Sequence, residues 1–270
     1  MSPFLFGAPT RRMMGIFHPA GSSPASGAAV LICLPFGHEL LRSQRFFRIL
    51  CDRLARAGHP TLRFDYYGCG DSLGEDLDGE LDGWAEDVGA AHDELRRLAP
   101  GRPIVWVGAR LGATLALLAA NGGNSTPTRV LAWDPVIDGT AYLEELRIAH
   151  VDAVARSYCV PDPRAGKLLA ARSNAGPAEL LGTELSPELC RQLAALNAVN
   201  LRVSARHDTM VLADPDDAPV RQWADAQAAR ELPVQFAPFG HTLDWTADPN
   251  PRSAMVPAEA VQRLLAELCE

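Results

Sequence analysis

Ile104-Val105-Trp106-Val107-Gly108-Ala109-Arg110-Leu111-Gly112 is the stretch whose reading decides the fold. Its first four residues are apolar, β-branched or aromatic, and predict a buried strand over 104–107. Glycines at 108 and 112 then bracket a turn, and Gly112 to Ala120 continues as a helix rich in small residues. A strand that passes through a tight turn into a helix is the repeating unit of a parallel sheet covered by helices.

The same unit recurs on either side. Met14 to His18 reads as an opening strand, followed by a Gly/Ser/Pro/Ala loop through Gly27, and Ala28 to Leu34 as a central strand broken by Pro35-Phe36-Gly37. Phe46, Phe47, Leu50, Leu54 and Ala57 recur at helical spacing up to the stop at Gly58. Thr61 to Phe64 predicts a strand, Leu81 to Leu98 an amphipathic helix, and Val130 to Trp133 another strand. From Asp138 to about Asn197 helical segments follow one another without a convincing strand. Strands are expected again at Asn200 to Ala205 and Val234 to Phe236, and Val256 to Leu268 forms a closing helix. The expected architecture is α/β: a mostly parallel central sheet with helices on both faces. Residues 1–138 and 198–270 form its two parts, and 139–197 form a helical cap over the edge where the strands end.

Composition narrows the function. Against 25 Lys and Arg stand 33 Asp and Glu, a net charge of −8 that disfavours a nucleic-acid or anionic-membrane surface. Six cysteines without a CxxC pair support neither a disulfide scaffold nor a zinc site. No Walker lysine and no GxGxxG is present, so no cofactor or metal is expected. The opening residues lack a secretory pattern, and the longest apolar runs fall far short of the roughly 20 residues of a membrane span. A cytoplasmic protein with no integral membrane segment is the expectation.

Strand, GxxxG and helix also reproduce the setting of a nucleophile elbow, a strained turn that lifts one side chain above the sheet edge. That place belongs to Ser, Cys or Asp, and here it holds Arg110. A guanidinium stays protonated and cannot attack a carbonyl. His241, just past the last strand, stands where the general base of this architecture belongs, and Asp208 stands where the acid that orients it is expected, with Asp214, Asp216 and Asp217 as alternatives. Arg110 has three possible roles: clamping a substrate carboxylate or phosphate, pairing with Asp65, Glu39 or another acid, or turning outward. Cys69 is the alternative nucleophile among Cys33, Cys69 and Cys159, and Ser72 lacks an elbow. His38 and Glu39 are candidates for substrate contact or for a second acid/base pair.

These residues together resemble the α/β-hydrolase superfamily. The likeness is closest to the serine-aminopeptidase-like branch that includes the hydrolases associated with exosortase systems. It rests on Leu34-Pro35-Phe36-Gly37-His38-Glu39-Leu40-Leu41-Arg42-Ser43, similar to the family's oxyanion-side segment, and on the glycine-rich loop Arg63-Phe64-Asp65-Tyr66-Tyr67-Gly68-Cys69-Gly70-Asp71-Ser72. Trp133-Asp134-Pro135-Val136-Ile137-Asp138-Gly139 resembles the start of its lid, and some exosortase-associated members are similar in carrying arginine at the elbow. The resemblance implies oxyanion donors at the backbone N–H groups of Phe36 and Leu111.

Two functions follow. One is a noncanonical enzyme acting on a small-molecule or carrier-bound acyl ester or thioester by hydrolysis, acyl transfer or cyclisation, with His241 and Asp208 as base and Arg110 holding an anionic group. The other is a catalytically silent ligand-binding or accessory protein, for which a protein partner is possible. Arg110 facing a concave pocket beside a free His241 marks the first, and Arg110 locked in an ion pair that fills the pocket marks the second.

Overall fold

Successive side chains of a strand point to opposite faces, and the central strands are apolar on both. In β3 (Ala29–Cys33), Ala29, Leu31 and Cys33 join one core cluster while Val30 and Ile32 join the other. In β5 (Ile104–Ala109), Ile104 and Trp106 face the first cluster, and Val105, Val107 and Ala109 the second. Strands buried on both sides must be sandwiched between helices. The computed structural model describes residues 1–21, 27–156, 164, 179–246 and 256–269.

The sheet has eight strands in the order β1-β2-β4-β3-β5-β6-β9-β10. β1 (Ser2–Phe6) and β2 (Met13–His18) form an antiparallel margin beside β4 (Thr61–Phe64), and all pairs beyond β4 are parallel. β6 spans Arg129–Trp133, β9 Asp208–Ala213 and β10 Val234–Pro238. On one face lie α1 (Gly37–Arg56) and the closing helix, numbered α7 (Ala258–Cys269), which touch each other. Phe46, Phe47, Leu50 and Leu54 of α1 are buried there, as their spacing predicts. The other face carries α2 (Leu81–Leu98) and α3 (Leu111–Gly122).

Between β6 and β9 the described residues hold α4 (Gly139–Ala155), a two-stranded hairpin of β7 (Glu179–Leu180) and β8 (Thr183–Glu184), and α5 (Pro187–Ala195). The hairpin was not expected, since two residues per strand carry no period. Its signal is Leu181-Gly182, both at positive φ (51° and 83°), as the commonest two-residue hairpin turn requires. Asp138 caps α4 by accepting from Ala141 N, and Ser186 caps α5 through Leu189 N. Cys159 lies outside the described residues.

One expected strand is corrected. Asn200 to Ala205 forms no strand, with Asn200 and Ala205 in turns and 201–204 irregular, and the strand is β9, which starts at Asp208. Leu201 and Val203 are buried, which gives the segment the alternation of a strand. Its backbone bonds instead to α6 (Ala218–Ala228): the Trp223 indole N–H donates to Leu201 O at 3.0 Å, and Gln227 Oε1 accepts from Val203 N at 3.4 Å. β1, which sequence reading left outside the sheet, is an edge strand with a largely exposed face.

A buried donor–acceptor pair ties α2 to β5. Trp106 Nε1 donates to His92 Nδ1 at 3.1 Å, which needs a neutral imidazole. Burial and the nearby Arg96 push the His92 pKa down to about 4. The unfolded imidazole takes its proton near pH 6.5, so His92's contribution is complete above that value and is lost as pH falls toward about 4. Urea midpoints measured from pH 7 to pH 4 are expected to fall across this window, and to fall less steeply in His92→Phe.

Candidate active site

Arg110 occupies the elbow, at φ 53° and ψ −127°. A non-glycine residue held in such a conformation costs on the order of 1–3 kcal/mol, so surrounding packing must impose it. Two glycines show how. A Cβ on Gly108 would lie 2.6 Å from Ala113 Cα, and one on Gly112 would lie 2.3 Å from the carbonyl oxygens of Cys33 and Leu34. α3 therefore starts hard against the end of β3. Arg110 N donates to Trp133 O at 2.9 Å, and Arg110 O accepts from Ala113 N at 3.0 Å, fixing the turn on both sides.

The side chain is bound in turn. Arg110 Nε donates to Glu39 Oε1 at 2.6 Å, and Arg110 Nη2 donates to Glu145 Oε2 at 2.6 Å. Glu39 sits in the first turn of α1, fully buried, and its other oxygen accepts from the Tyr142 hydroxyl at 2.9 Å. Glu145 and Tyr142 both come from α4, and the guanidinium carbon lies 5.5 Å from the centre of the Tyr142 ring. Burial pushes the Glu39 carboxyl up against the opposing pull of Arg110 and Tyr142. The two carboxylates hold the Arg110 guanidinium in its charged form despite its burial. Of the three roles open to Arg110 from sequence, pairing with acids is the one seen.

His241 is also spoken for. Its Nε2 lies 2.7 Å from Asp134 Oδ2, and its Nδ1 accepts from Leu243 N at 3.2 Å, so the neutral ring carries its proton on Nε2. Asp134 follows β6 directly, at φ 45°, and Trp245 Nε1 donates to the same carboxylate oxygen at 2.9 Å. Trp133, Phe239 and Trp245 surround the imidazole, with ring centres 4.9, 5.5 and 5.9 Å away.

Asp208 is not the partner of His241, and this is a correction. Asp208 is exposed at the first residue of β9 and pairs in register with Arg129, the first residue of β6. His241 lies beyond the last residue of β10, so the two are at opposite ends of parallel strands, about 15–20 Å apart by strand rise. Placing the strand too early in the chain made Asp208 look like a residue past its end. Asp214 accepts from Asp216 N at 2.8 Å, and Asp217 caps α6.

The remaining candidates divide. Among the described residues no acceptor takes the N–H of Phe36 or of Leu111, the two positions implied as oxyanion donors. His38 lines a cleft with Phe36, Gly37, Leu146, Leu180, Leu181 and Thr183 that offers about 10 Å³, room for about one water. Cys69 is poorly suited to act as a nucleophile: burial, with Asp76, Asp65 and Asp87 nearby, pushes its thiol up, away from the reactive thiolate. Ser72 is spent on the loop, donating to Asp65 O at 2.6 Å and accepting from Met14 N at 2.9 Å. Among the described residues no group of His, Cys, Asp or Glu converges as a metal site, and no helix is long and apolar enough to cross a membrane.

Sequence reasoning missed Asp134, Tyr142 and Glu145. Asp134 had a usable signal, a carboxylate immediately after the strand next to the elbow strand. Tyr142 and Glu145, three apart, share a helix face that periodicity alone does not aim at Arg110.

The strand order, the elbow after β5 and the histidine after the last strand define the α/β-hydrolase fold. Solved structures agree. The chain is similar to Est1E from Butyrivibrio proteoclasticus with ferulic acid bound (TM-score 0.64, 17% identity, 98% of this chain and 99% of that one). It is also similar to a thermostable carboxyl esterase from Bacillus coagulans (TM-score 0.67, 12% identity, 98% and 97%), and to a Pyrococcus furiosus esterase (TM-score 0.62, 14% identity, 98% and 88%). At these identities the likeness is one of fold. No family model and no curated protein matches the sequence.

Removing one member of a buried ion pair strands the other, at about 3–5 kcal/mol, whereas removing both is far cheaper. Arg110→Met, which strands the buried Glu39, is expected to lower unfolding stability by that order, and Glu39→Gln by less, since Glu145 still pairs with Arg110. The double variant should recover most of the loss, measured as a double-mutant cycle in urea.

Proposed function

We propose that this chain uses the α/β-hydrolase fold to bind an acyl ester or thioester, or the acid derived from one, without forming an acyl-enzyme. In this reading it is a catalytically silent ligand-binding or accessory protein. The observation that carries it is the Arg110–Glu39–Glu145 ion-pair group, which fills the elbow position where a covalent intermediate would have to form. The second nitrogen of His241, which a general base must keep free for the reacting proton, accepts from Leu243 N. Residues 139–197 act as the cap in this reading, since α4 supplies both Tyr142 and Glu145. The exosortase-associated branch supplies a parallel for arginine at the elbow and nothing finer about the ligand.

A second reading has its own support. The N–H groups of Phe36 and Leu111, which meet no acceptor among the described residues, lie on either side of the elbow, where donors to a developing oxyanion belong. Here the protein is an enzyme in which His241, oriented by Asp134 in place of Asp208, draws a proton from water as it attacks the acyl carbonyl. The 3.2 Å contact from Leu243 N would have to break first. The solved neighbours named as esterases lend this reading their chemistry by analogy only.

Turnover of an acyl thioester, with intact mass read after exposure to a fluorophosphonate, separates the two. The binding reading expects no covalent adduct and no hydrolysis that depends on His241. Thioester hydrolysis that drops at least about 100-fold in both His241→Ala and Asp134→Asn overturns it in favour of the enzyme. An adduct mapped to any side chain overturns the statement that no acyl-enzyme forms.

A further inference from the structure

The two carboxylates on Arg110 are not equivalent. Glu39 is fully buried and has two partners, Arg110 Nε and the Tyr142 hydroxyl. Its charge alone balances the guanidinium. Glu145 is 45% exposed, and its single hydrogen bond among the described residues is the one from Arg110 Nη2. Two carboxylates around one guanidinium leave the group one negative charge in excess, so Glu145 adds nothing to neutrality. Arg110 Nη1 donates to no acceptor among the described residues. Nη1 and Nη2 together are the end of the guanidinium that grips a carboxylate with two parallel N–H···O bonds, and Glu145 holds only one of them.

We infer that Glu145 is an internal stand-in for a ligand carboxylate: a carboxylate-bearing acyl compound binds the Nη1/Nη2 end of Arg110 and displaces Glu145. The inference rests on the reading of this edge as an acyl-ligand site and specifies what the ligand must carry. Leu146, the residue after Glu145, lines the narrow cleft with Phe36, Leu180 and Leu181. Glu145 turns outward while Tyr142 keeps its bond to Glu39, and a shift of the Leu146 side chain opens the apolar cleft for an acyl chain. Glu39 stays in place and keeps the guanidinium aimed.

Hexanoate supplies the carboxylate and the apolar chain, and hexanamide is its uncharged counterpart. Titration of the full chain by calorimetry is expected to show hexanoate binding to the unaltered protein and binding at least about tenfold tighter to Glu145→Ala, where no internal carboxylate competes. Alanine suits a helix interior and the position is half-exposed, so the variant keeps its fold. Hexanamide is expected not to bind either protein, and Arg110→Met to bind neither compound. Equal hexanoate affinity with and without Glu145, equal binding of hexanamide, or no hexanoate binding to Glu145→Ala overturns the inference. The hexanamide comparison decides even where Arg110→Met fails to fold. Thioester turnover is a separate measurement: a His241-dependent enzyme would overturn the silent reading and leave the carboxylate exchange standing.

Discussion

A charged side chain held at a strained turn inside a partly dry cleft needs a countercharge, and Glu39 provides it. Much of the upper edge of the molecule is arranged around that pair. Glu39 lies in the first turn of α1, and that helix begins where β3 ends. Arg110 lies between β5 and α3, and Tyr142 descends from α4 to hold the far oxygen of Glu39. Three parts of the chain, α1, the turn between β5 and α3, and α4, meet at one carboxylate. A helix start also favours a negative charge, so Glu39 is doubly suited to remain ionised there, although burial opposes it.

The architecture was legible because its signals are local and repeated. Apolar runs such as Val30-Leu31-Ile32 and Val105-Trp106-Val107, each followed by glycine or proline, leave little choice but buried parallel strands. Glycines 108 and 112 carried the elbow equally plainly, since no larger residue fits against the backbone there. Where alternation alone was the guide, reading slipped. Leu201 and Val203 alternate like a strand, but their burial is served by side chains of α6, and the error moved the end of the true strand β9 and with it the supposed acid.

The site was legible as a set of positions more than as a set of partners. Arg110, Glu39 and His241 were all singled out, and the structure does bring the first two together. The acid beside His241 was misplaced, because the last parallel strands end close together and a carboxylate from β6 can reach a histidine from β10 as well as one from β9 can. Asp134 does so while also accepting from Trp245, a contact across 111 positions that no local pattern announces. Glu145 was invisible for a related reason: its role exists only once α4 is laid over the elbow.

The backbone of the elbow is set by the glycines on either side of Arg110 and by the carbonyls of β3, not by the side chain at its tip. That makes position 110 a socket. In lineages built on this frame, chemistry can be withdrawn, replaced or restored by exchanging one residue, provided the neighbours that met its charge change with it. Arg110 and Glu39 should then be inherited as a unit, and descendants that keep one without the other should be rare.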